Sequence, residues 1–246
     1  MADAPAWLDA WAFAHRGLHD ADAPENSMAA FRAAIARGFG IECDLRVSAD
    51  GRAMVFHDAD LERLTGGPGV TGEHTVGELT AMALTGSEER IPTLRDMLEL
   101  VAGQVPVLLE LKSDGRDSVH KLCRAVRRDL EGYAGDIAVM SFDPRIPAWF
   151  GERVPDLPRG LVVTEQNART LTGAFRRRLA MRHSRPDFLA YDIRDLPSRF
   201  AVRSAKSGRP LLTWTVKTSA QLETALACGA APILEGAGVA AWEEHP

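Results

Sequence analysis

The sequence predicts an α/β fold, and within that class a TIM (β/α)8 barrel with a β-hairpin after the second strand and a small insertion. Three observations support this prediction. Apolar strand patterns alternate with helical patterns along most of the chain, which is typical of parallel strands joined by crossover helices. Eight strands take part in this alternation, and 246 residues is an ordinary length for eight such units. Polar residues end several of the strands, on the side where such barrels place their active sites.

The composition predicts a single folded domain over residues 1–246. Hydrophobic residues make up 46% of the chain and charged residues 26%, as in an ordinary globular protein. A formal net charge of −5 argues against non-specific nucleic-acid binding, which requires a basic surface. No apolar run approaches the roughly 18 residues of a membrane span, and the first residues carry acids in place of a basic leader. We therefore expect a cytoplasmic protein without stable membrane insertion, and the composition leaves its oligomeric state open.

The first predicted strand lies within residues 11–17 and ends in the polar residues His15 and Arg16. A helix then begins near Pro-Glu-Asn-Ser and runs to about residue 37, with Asn26 or Ser27 as its N-terminal cap. Together they form the first strand-helix unit.

Residues 40–58 are the most informative stretch, because two apolar strand patterns are joined there by Ala-Asp-Gly at 49–51. Asp-Gly between such patterns is a strong hairpin signal. With the Asp-Gly pair as the two central turn residues, Asp44 lies opposite His57. Side chains alternate along a strand, so Glu42 shares a face with Asp44.

Acidic residues at alternate positions can also form the solvent-facing side of an edge strand. The flanking residues Ile41, Leu45 and Val55 instead favour burial, where unpaired acids are costly without a cation or a proton. Two carboxylates and an imidazole are therefore expected to converge at one end of the hairpin.

The remaining chain predicts an insertion and a regular alternation. Residues 58–92 contain few periodic segments and form the insertion, which a helix over 94–101 follows. Strands are expected at 105–112, 137–141, 160–164, 188–192, 211–216 and 232–235, and helices at 117–131, 145–152, 168–181, 197–206, 219–228 and the C-terminus. A tight turn cannot join parallel strands, so the second hairpin arm is excluded from the barrel and eight strands remain.

A third carboxylate is expected beside the hairpin acids. Glu110 and Lys112 are two residues apart on one strand and point to the same side, and strand neighbours bring Glu110 beside Glu42 and Asp44. A strand-end ion pair is the simpler interpretation of Glu110 and Lys112 alone. Three carboxylates around one point favour Mg²⁺ or Ca²⁺ over zinc, which prefers nitrogen and sulfur ligands.

Two histidines are expected next to this proposed metal. His15 and His57 could act as the base and the acid of one turnover, activating an oxygen nucleophile and protonating an alkoxide leaving group. Arg16 and Lys112 would hold an anion that the metal also contacts. A metal ion, two basic side chains and an acid-base pair of histidines indicate phosphoryl chemistry more readily than glycosidic or peptide chemistry.

These residues resemble the glycerophosphodiester phosphodiesterase family in order and over nearly the whole chain. The matching elements are His15-Arg16-Gly17, Pro24-Glu25-Asn26-Ser27, Glu42-x-Asp44, Asp50-Gly51, His57-Asp58, Glu110-Leu111-Lys112, Ser141-Phe142 and Trp214-Thr215-Val216.

The resemblance implies a TIM barrel with an insertion after the hairpin and hydrolysis of a small-molecule phosphodiester to glycerol-3-phosphate and an alcohol. It also implies a divalent cation on the three acids, catalysis by the two histidines and phosphate contacts by Arg16 and Lys112. Trp214, which would otherwise be read as barrel core, would form a wall of the alcohol pocket. Two positions depart from the family: Ser48 replaces the commoner threonine, and the last strand ends in Glu235 where aspartate is usual, with no role assigned to it.

Two other functions stay open. A lysophospholipase D or sphingomyelinase D-like enzyme would share the metal acids and the histidines but would need an exposed apolar approach. The insertion offers only scattered candidates for one, namely Leu61, Leu64, Val70, Leu79, Met82 and Leu84. A non-catalytic phosphate-binding barrel is the other, although every expected catalytic residue is present.

Overall fold

The structure is a computed structural model that describes residues 4–113 and 115–245. Within these ranges the strands are β1 (Phe13–His15), β2 (Gly40–Val47), β3 (Ala53–Val55), β4 (Val107–Leu111), β5 (Ile137–Ser141), β6 (Arg159–Val163), β7 (Phe188–Asp192), β8 (Leu211–Val216) and β9 (Ala231–Leu234). They form one sheet in the order β1-β9-β8-β7-β6-β5-β4-β2-β3, with a further pairing of β1 and β2. Eight strands make the closed parallel barrel expected from the sequence, and β3 is the antiparallel hairpin arm outside it.

The helices occupy the connections between strands. They are α1 (Trp7–Ala10), α2 (Met28–Ala36), α3 (Glu62–Thr65), α4 (Val76–Ala81), α5 (Leu94–Val101), α6 (Arg116–Asp129), α7 (Arg145–Arg153), α8 (Leu171–Ser184), α9 (Arg199–Ala205), α10 (Ser219–Ala227) and α11 (Ala237–Glu243), with short 3-10 helices at Thr71–Glu73 and Ile193–Asp195. None of these described helices combines the length and the apolar character needed to cross a membrane.

Local chemistry explains where the helices begin. The Ser27 side chain accepts a hydrogen bond from the Ala30 N–H and caps α2, so of the two caps expected there the serine takes the position. Thr93 and Asp96 form a reciprocal capping box at the start of α5, which buries Leu94 and Met97 on one side.

The chain divides into two compact units, which are described separately. The first unit comprises the described residues of Met1–His15 and Ile137–Pro246, and the second comprises those of Arg16–Asp136. In the first unit β5 to β9 pair in parallel, and β1 pairs with β9 so that Ala14 is level with Leu234. This confirms the expected neighbourhood of the first and last strands.

In the second unit β2 pairs in parallel with β4 and antiparallel with β3. The predicted hairpin register was wrong by one residue: Leu45 pairs with Val55, and the Phe56 N–H donates to the Asp44 carbonyl (2.9 Å), so Asp44 faces Phe56 and not His57. The loop has three residues instead of two, because the Ser48 N–H donates to the Arg52 carbonyl (3.0 Å).

The composition of the turn explains this longer loop. The Ser48 hydroxyl donates to the Asp50 carboxylate (2.7 Å) and accepts from the Arg52 N–H (2.9 Å). These two hydrogen bonds stabilise the three-residue loop. Gly51 takes the left-handed conformation, with φ of 77°, that the third loop residue requires.

The insertion is more ordered than its weak periodicity predicts, because it buries a small apolar core together with residues of the hairpin arm. This core consists of Met54, Phe56, Leu61, Leu79, Leu84 and Ile91, with Leu64, Val76 and Met82 packed against it. Most of the apolar residues considered above as a lipid approach therefore face inward.

Candidate active site

Three buried carboxylates meet where β2 and β4 lie side by side. Glu42 and Asp44 project from the same face of β2, and Asp44 is level with Glu110 on β4. One carboxylate oxygen from each residue lies within 4.8 Å of the others, and Glu42 is only 1% exposed. The expected convergence of the three acids is confirmed.

The electrostatics of this carboxylate cluster favour a bound cation. Burial raises the pKa of Glu42 well above its ordinary value, and the neighbouring charges of Asp44 and Glu110 raise it further. Burial likewise raises the pKa of Glu110. A divalent cation would stabilise the ionised carboxylates against both their burial and their mutual repulsion.

One oxygen of the cluster gives a direct test of whether the residues fit a metal. Glu42 Oε2 accepts the backbone N–H of Arg16 (3.0 Å), but Glu42 Oε1 is buried and has no hydrogen-bond partner among the described residues. A buried carboxylate oxygen without a partner is costly unless a ligand satisfies it. Because all three donors are hard oxygens, the set fits Mg²⁺ or Ca²⁺.

Arg16 and Lys112 bring two positive charges to the same cluster. Arg16 Nε lies 3.1 Å from Asp44 Oδ2, and Lys112 Nζ lies 3.0 Å from Asp44 Oδ1 and 2.5 Å from Glu110 Oε1. Burial alone would lower the pKa of Lys112, but the charges of Asp44 and Glu110 outweigh it and raise that pKa above its ordinary value. Both cations stay charged where an anion would approach the carboxylates.

The backbone around Arg16 is held by close packing on α2. Gly17 has φ of 78°, and a Cβ there would lie 2.9 Å from the Ala30 backbone, so glycine is required. Asn26 also belongs to this site, since its amide donates to Asp44 Oδ2 (3.1 Å) and its carbonyl accepts the Asp44 N–H (3.2 Å). The sequence suggested Asn26 as a possible helix cap. Ser27 takes that position, and the two hydrogen bonds of Asn26 orient Asp44 instead.

His57 is oriented by a carboxylate next to it in the chain. Its Nδ1 lies 2.6 Å from Asp58 Oδ1, while Arg46 Nε donates to the His57 carbonyl (2.7 Å). Burial lowers the pKa of His57, although the charge of Asp44 opposes this effect. Burial opposes ionisation of Asp58, but hydrogen bonds from Arg63 and His57 lower the pKa of that carboxyl to about 2. The ionised Asp58 can only accept, so Nδ1 carries the proton and Nε2 is the proton-accepting nitrogen of neutral His57.

A chain of ion pairs connects this histidine with Arg16. Arg63 on α3 donates to Asp58 (2.5 Å) and, through both Nη atoms, to Glu25 (2.9 and 2.8 Å), and Glu25 in turn accepts from Arg16 (2.7 Å). Sequence reasoning assigned no role to Glu25, Asp58 or Arg63. The first two stand inside the motifs quoted above, whereas Arg63 lies in the insertion and carried no signal.

In the first unit, His15 has an equivalent carboxylate partner. Its Nδ1 lies 2.8 Å from Glu235 Oε2, and Lys217 Nζ donates to the other oxygen of Glu235 (2.8 Å). The hydrogen bond from His15 lowers the pKa of Glu235 to about 2, and Lys217 contributes to the same shift. Glu235, to which the sequence assigned no role, is therefore the hydrogen-bond partner of the predicted catalytic residue His15.

Trp214 lies at the end of β8 in the same unit. Its indole N–H donates to the Ala190 carbonyl (3.1 Å), and its ring meets Phe142 edge to face, with centroids 5.4 Å apart. Phe142, just after β5, is 45% exposed. The two rings form a partly exposed aromatic surface, and the wall predicted for Trp214 stays a prediction.

Comparison with known proteins identifies one family. A model described as "Glycerophosphoryl diester phosphodiesterase family" matches residues 15–235. The Bacillus subtilis protein YhdW, provisionally named a glycerophosphodiester phosphodiesterase, is 31% identical over 232 residues, or 85% of this chain and 88% of that protein. A Caldanaerobacter subterraneus glycerophosphodiester phosphodiesterase is 39% identical over 108 residues, but the match spans only 41% of this chain and 44% of that protein.

Solved structures share the fold. An Oleispira antarctica phosphodiesterase, in complex with the product sn-glycerol-3-phosphate, superposes with a TM-score of 0.82 at 22% identity, covering 95% of this chain and 97% of that one. A Thermotoga maritima glycerophosphodiester phosphodiesterase gives 0.72 at 26% identity, with 91% and 93% covered.

Proposed function

The chain belongs to the glycerophosphoryl diester phosphodiesterase family, and from that membership we propose that it is a metal-dependent hydrolase of glycerophosphodiesters that releases glycerol-3-phosphate and an alcohol. The observation that carries this proposal is the buried carboxylate cluster, in which Glu42 Oε1 has no hydrogen-bond partner among the described residues and beside which Arg16 and Lys112 lie. This arrangement suits a substrate whose reacting group is an anion.

Glu42, Asp44 and Glu110 would hold one divalent cation, either Mg²⁺ or Ca²⁺. When bound, the cation supplies positive charge that neutralises the phosphate oxygens as negative charge builds on them. Asn26 keeps the Asp44 carboxylate in a fixed orientation through its two hydrogen bonds. Arg16 and Lys112 would contact the phosphate from the same cluster and position it for attack.

The two histidines would move the protons. One imidazole takes a proton from the attacking oxygen, which belongs to water or to a neighbouring hydroxyl of the substrate, and the other gives a proton to the departing alkoxide. Asp58 and Glu235 each bind a histidine Nδ1 and so direct Nε2 to the reaction. Trp214 and Phe142 would pack against the alcohol portion of the substrate.

The test is a turnover screen of glycerophosphodiesters against lysophospholipids, with Mg²⁺ or Ca²⁺ added to metal-stripped protein. Glycerol-3-phosphate, free alcohol and cyclic phosphate are measured separately. The proposal expects metal-dependent release of glycerol-3-phosphate from glycerophosphodiesters. Turnover confined to lysophospholipids would replace it with the lipid-directed activity, and phosphate-ester binding without any turnover would replace it with a binding function.

A further inference from the structure

Helix α8 carries the most exposed large apolar side chains of the described surface. Leu171 is 91% exposed, Phe175 67% and Leu179 56%, and these are the three highest values among the exposed large hydrophobic residues of the described part. They stand four residues apart and so share one face of the helix. An exposed apolar face of this kind usually marks a surface that binds a partner.

The same helix carries a strong local positive charge. Residues 166–186 contain six arginines and no acidic residue, although the chain as a whole has a net charge of −5. Arg178 and Arg182 follow Leu171 by seven and eleven positions, which places them on its face of the helix. No hydrogen bond or ion pair among the described residues engages the side chains of Arg178 or Arg182, and both are exposed.

A neighbouring cleft continues this surface. It has a volume of about 890 Å³ and lies between α8 and α9, where Leu171, Phe175 and Arg178 face Arg199, Phe200 and Arg203. The carboxylate of Glu165 in this cleft already has partners within the protein, because it accepts hydrogen bonds from the hydroxyls of Tyr191 and Ser198. The charges of Arg178 and Arg182 are therefore available to bind an anionic partner.

We propose that this face, consisting of Leu171, Phe175, Leu179, Arg178 and Arg182 together with the adjoining cleft, docks the protein on the surface of an anionic lipid bilayer. Apolar side chains would enter the boundary between headgroups and acyl chains, while the arginines contact lipid phosphates and extend their aliphatic stems beside the apolar residues. Docking of this kind requires no membrane-spanning helix.

Two other partners fit the face less well. A second copy meeting it about a two-fold axis would bring two sets of arginines together without acids to pair with them. A nucleic acid would pair with the arginines but leave Leu171 and Leu179 in water, since Phe175 is the aromatic side chain that stands beside them on the described helix face. The inference concerns a surface of the first unit and does not depend on the proposed hydrolysis.

The experiment is flotation of the full chain with vesicles. One set contains phosphatidylglycerol and phosphatidylcholine in equal amounts, and the other contains phosphatidylcholine alone. We expect binding to the anionic set only, weakened by added salt because the screening length falls to a few ångströms at high ionic strength. Arg178→Gln/Arg182→Gln should lower the partition coefficient by about fivefold per charge removed, and Phe175→Ser by about tenfold.

Matched controls separate this face from charge or hydrophobicity in general. Arg124→Gln/Arg127→Gln removes the same charge from exposed positions of α6, and Leu226→Ser removes a partly exposed leucine from α10. Both should bind vesicles as the unmodified protein does. Circular dichroism verifies that each variant is folded.

Three outcomes would overturn the proposal. One is failure of the unmodified protein to bind the anionic vesicles. Another is equal loss of binding in the control variants and in the α8 variants. The third is a dimer, seen by light scattering, that Phe175→Ser converts to a monomer while vesicle binding is absent, which would assign the face to a second copy of the chain.

Discussion

Lys112 connects two of the three acids and is the residue through which phosphate would be drawn to them. Its ammonium group lies 3.0 Å from Asp44 and 2.5 Å from Glu110. A charge-assisted hydrogen bond to phosphate is worth about 1.5–3 kcal/mol, so Lys112→Ala should lower kcat/KM for phosphodiesters by about 10- to 100-fold. Steady-state kinetics beside Lys121→Ala, an exposed lysine on α6, measures this effect. Unchanged turnover in Lys112→Ala would mean that phosphate binds elsewhere.

The lowered pKa of Glu235 leads to a prediction about how the stability of the fold depends on pH. Its folded pKa of about 2 lies below the ordinary 4.5, so the unfolded chain binds more protons between these values and the ionised carboxylate stabilises the folded state above them. The contribution is fully present above about pH 4.5 and is lost as the pH falls toward 2. Glu235→Gln should therefore be less stable than the unmodified protein at neutral pH, and the difference should shrink as the pH falls.

Urea unfolding between about pH 7 and about pH 3 measures this difference. Glu223→Gln, at an exposed position of α10, controls for removal of a surface carboxylate. A difference for Glu235→Gln that stays constant over this range would show that the carboxylate does not ionise against His15 and Lys217 as described.

The role of Glu235 could have been inferred from strand pairing but not from composition. Ala14 is level with Leu234, so the next residues of the two strands, His15 and Glu235, come face to face. The sequence predicted β1 and β9 as neighbours without their register. Glu42, Asp44 and Glu110 were easier to predict, because side-chain alternation on β2 and one strand pairing were sufficient.

At the scale of elements, strong periodicity predicted boundaries well. The predicted bounds of α5, β5, β7 and β8 agree with the structure. The hairpin register failed because the Ser48 hydroxyl binds inside the turn and adds a third loop residue, an effect that the Asp-Gly signal alone does not contain. Helix α1 was missed because four residues are too short to show a period.

The insertion contributes one residue whose effect on the site can be tested. Arg63 on α3 binds Asp58 and Glu25, the partners of His57 and Arg16. Without Arg63, the pKa of Asp58 should rise from about 2 toward its ordinary value, which loosens the orientation of His57. Arg63→Gln should therefore lower kcat by about tenfold, with a smaller effect on KM, and should shift to higher pH whichever limb of the pH-rate profile reports His57.

Two further variants make that test specific. Arg63→Lys should restore part of kcat, because it keeps the charge and loses the planar fork of donors. Arg95→Gln, at an exposed position of α5, should behave as the unmodified protein. A pH profile that Arg63→Gln leaves unchanged would reduce Arg63 to a structural contact of the insertion.

At the scale of the whole molecule, alternation of strands and helices was sufficient to predict the barrel, because parallel strands need long crossovers and the tight hairpin could be excluded from the count. The basic, apolar face of α8 could not be predicted. The alternating pattern predicted a helix over 168–181, but burial of its side chains depends on packing against the rest of the first unit. The apolar residues suspected in the insertion mostly pack into the small core that the insertion shares with the hairpin arm.

In the proposed mechanism the acids would hold a divalent cation and the histidines would move protons. Glu42→Gln should lose affinity for Mg²⁺ or Ca²⁺ together with activity, because a neutral amide is a poorer ligand for a hard cation. His57→Ala should keep the ion while turnover falls by roughly 10²- to 10⁴-fold, or ceases if the missing group is essential. Glu99→Gln, at an exposed position of α5, is the matched control.

Calorimetric titration of Mg²⁺ and Ca²⁺ into the metal-stripped variants, run beside the turnover assay, tests this division most directly. The prediction is ion binding in His57→Ala and in Glu99→Gln but not in Glu42→Gln. Loss of ion binding in His57→Ala with retention in Glu42→Gln would contradict it, since the imidazole would then be a metal ligand and the buried carboxylate would not.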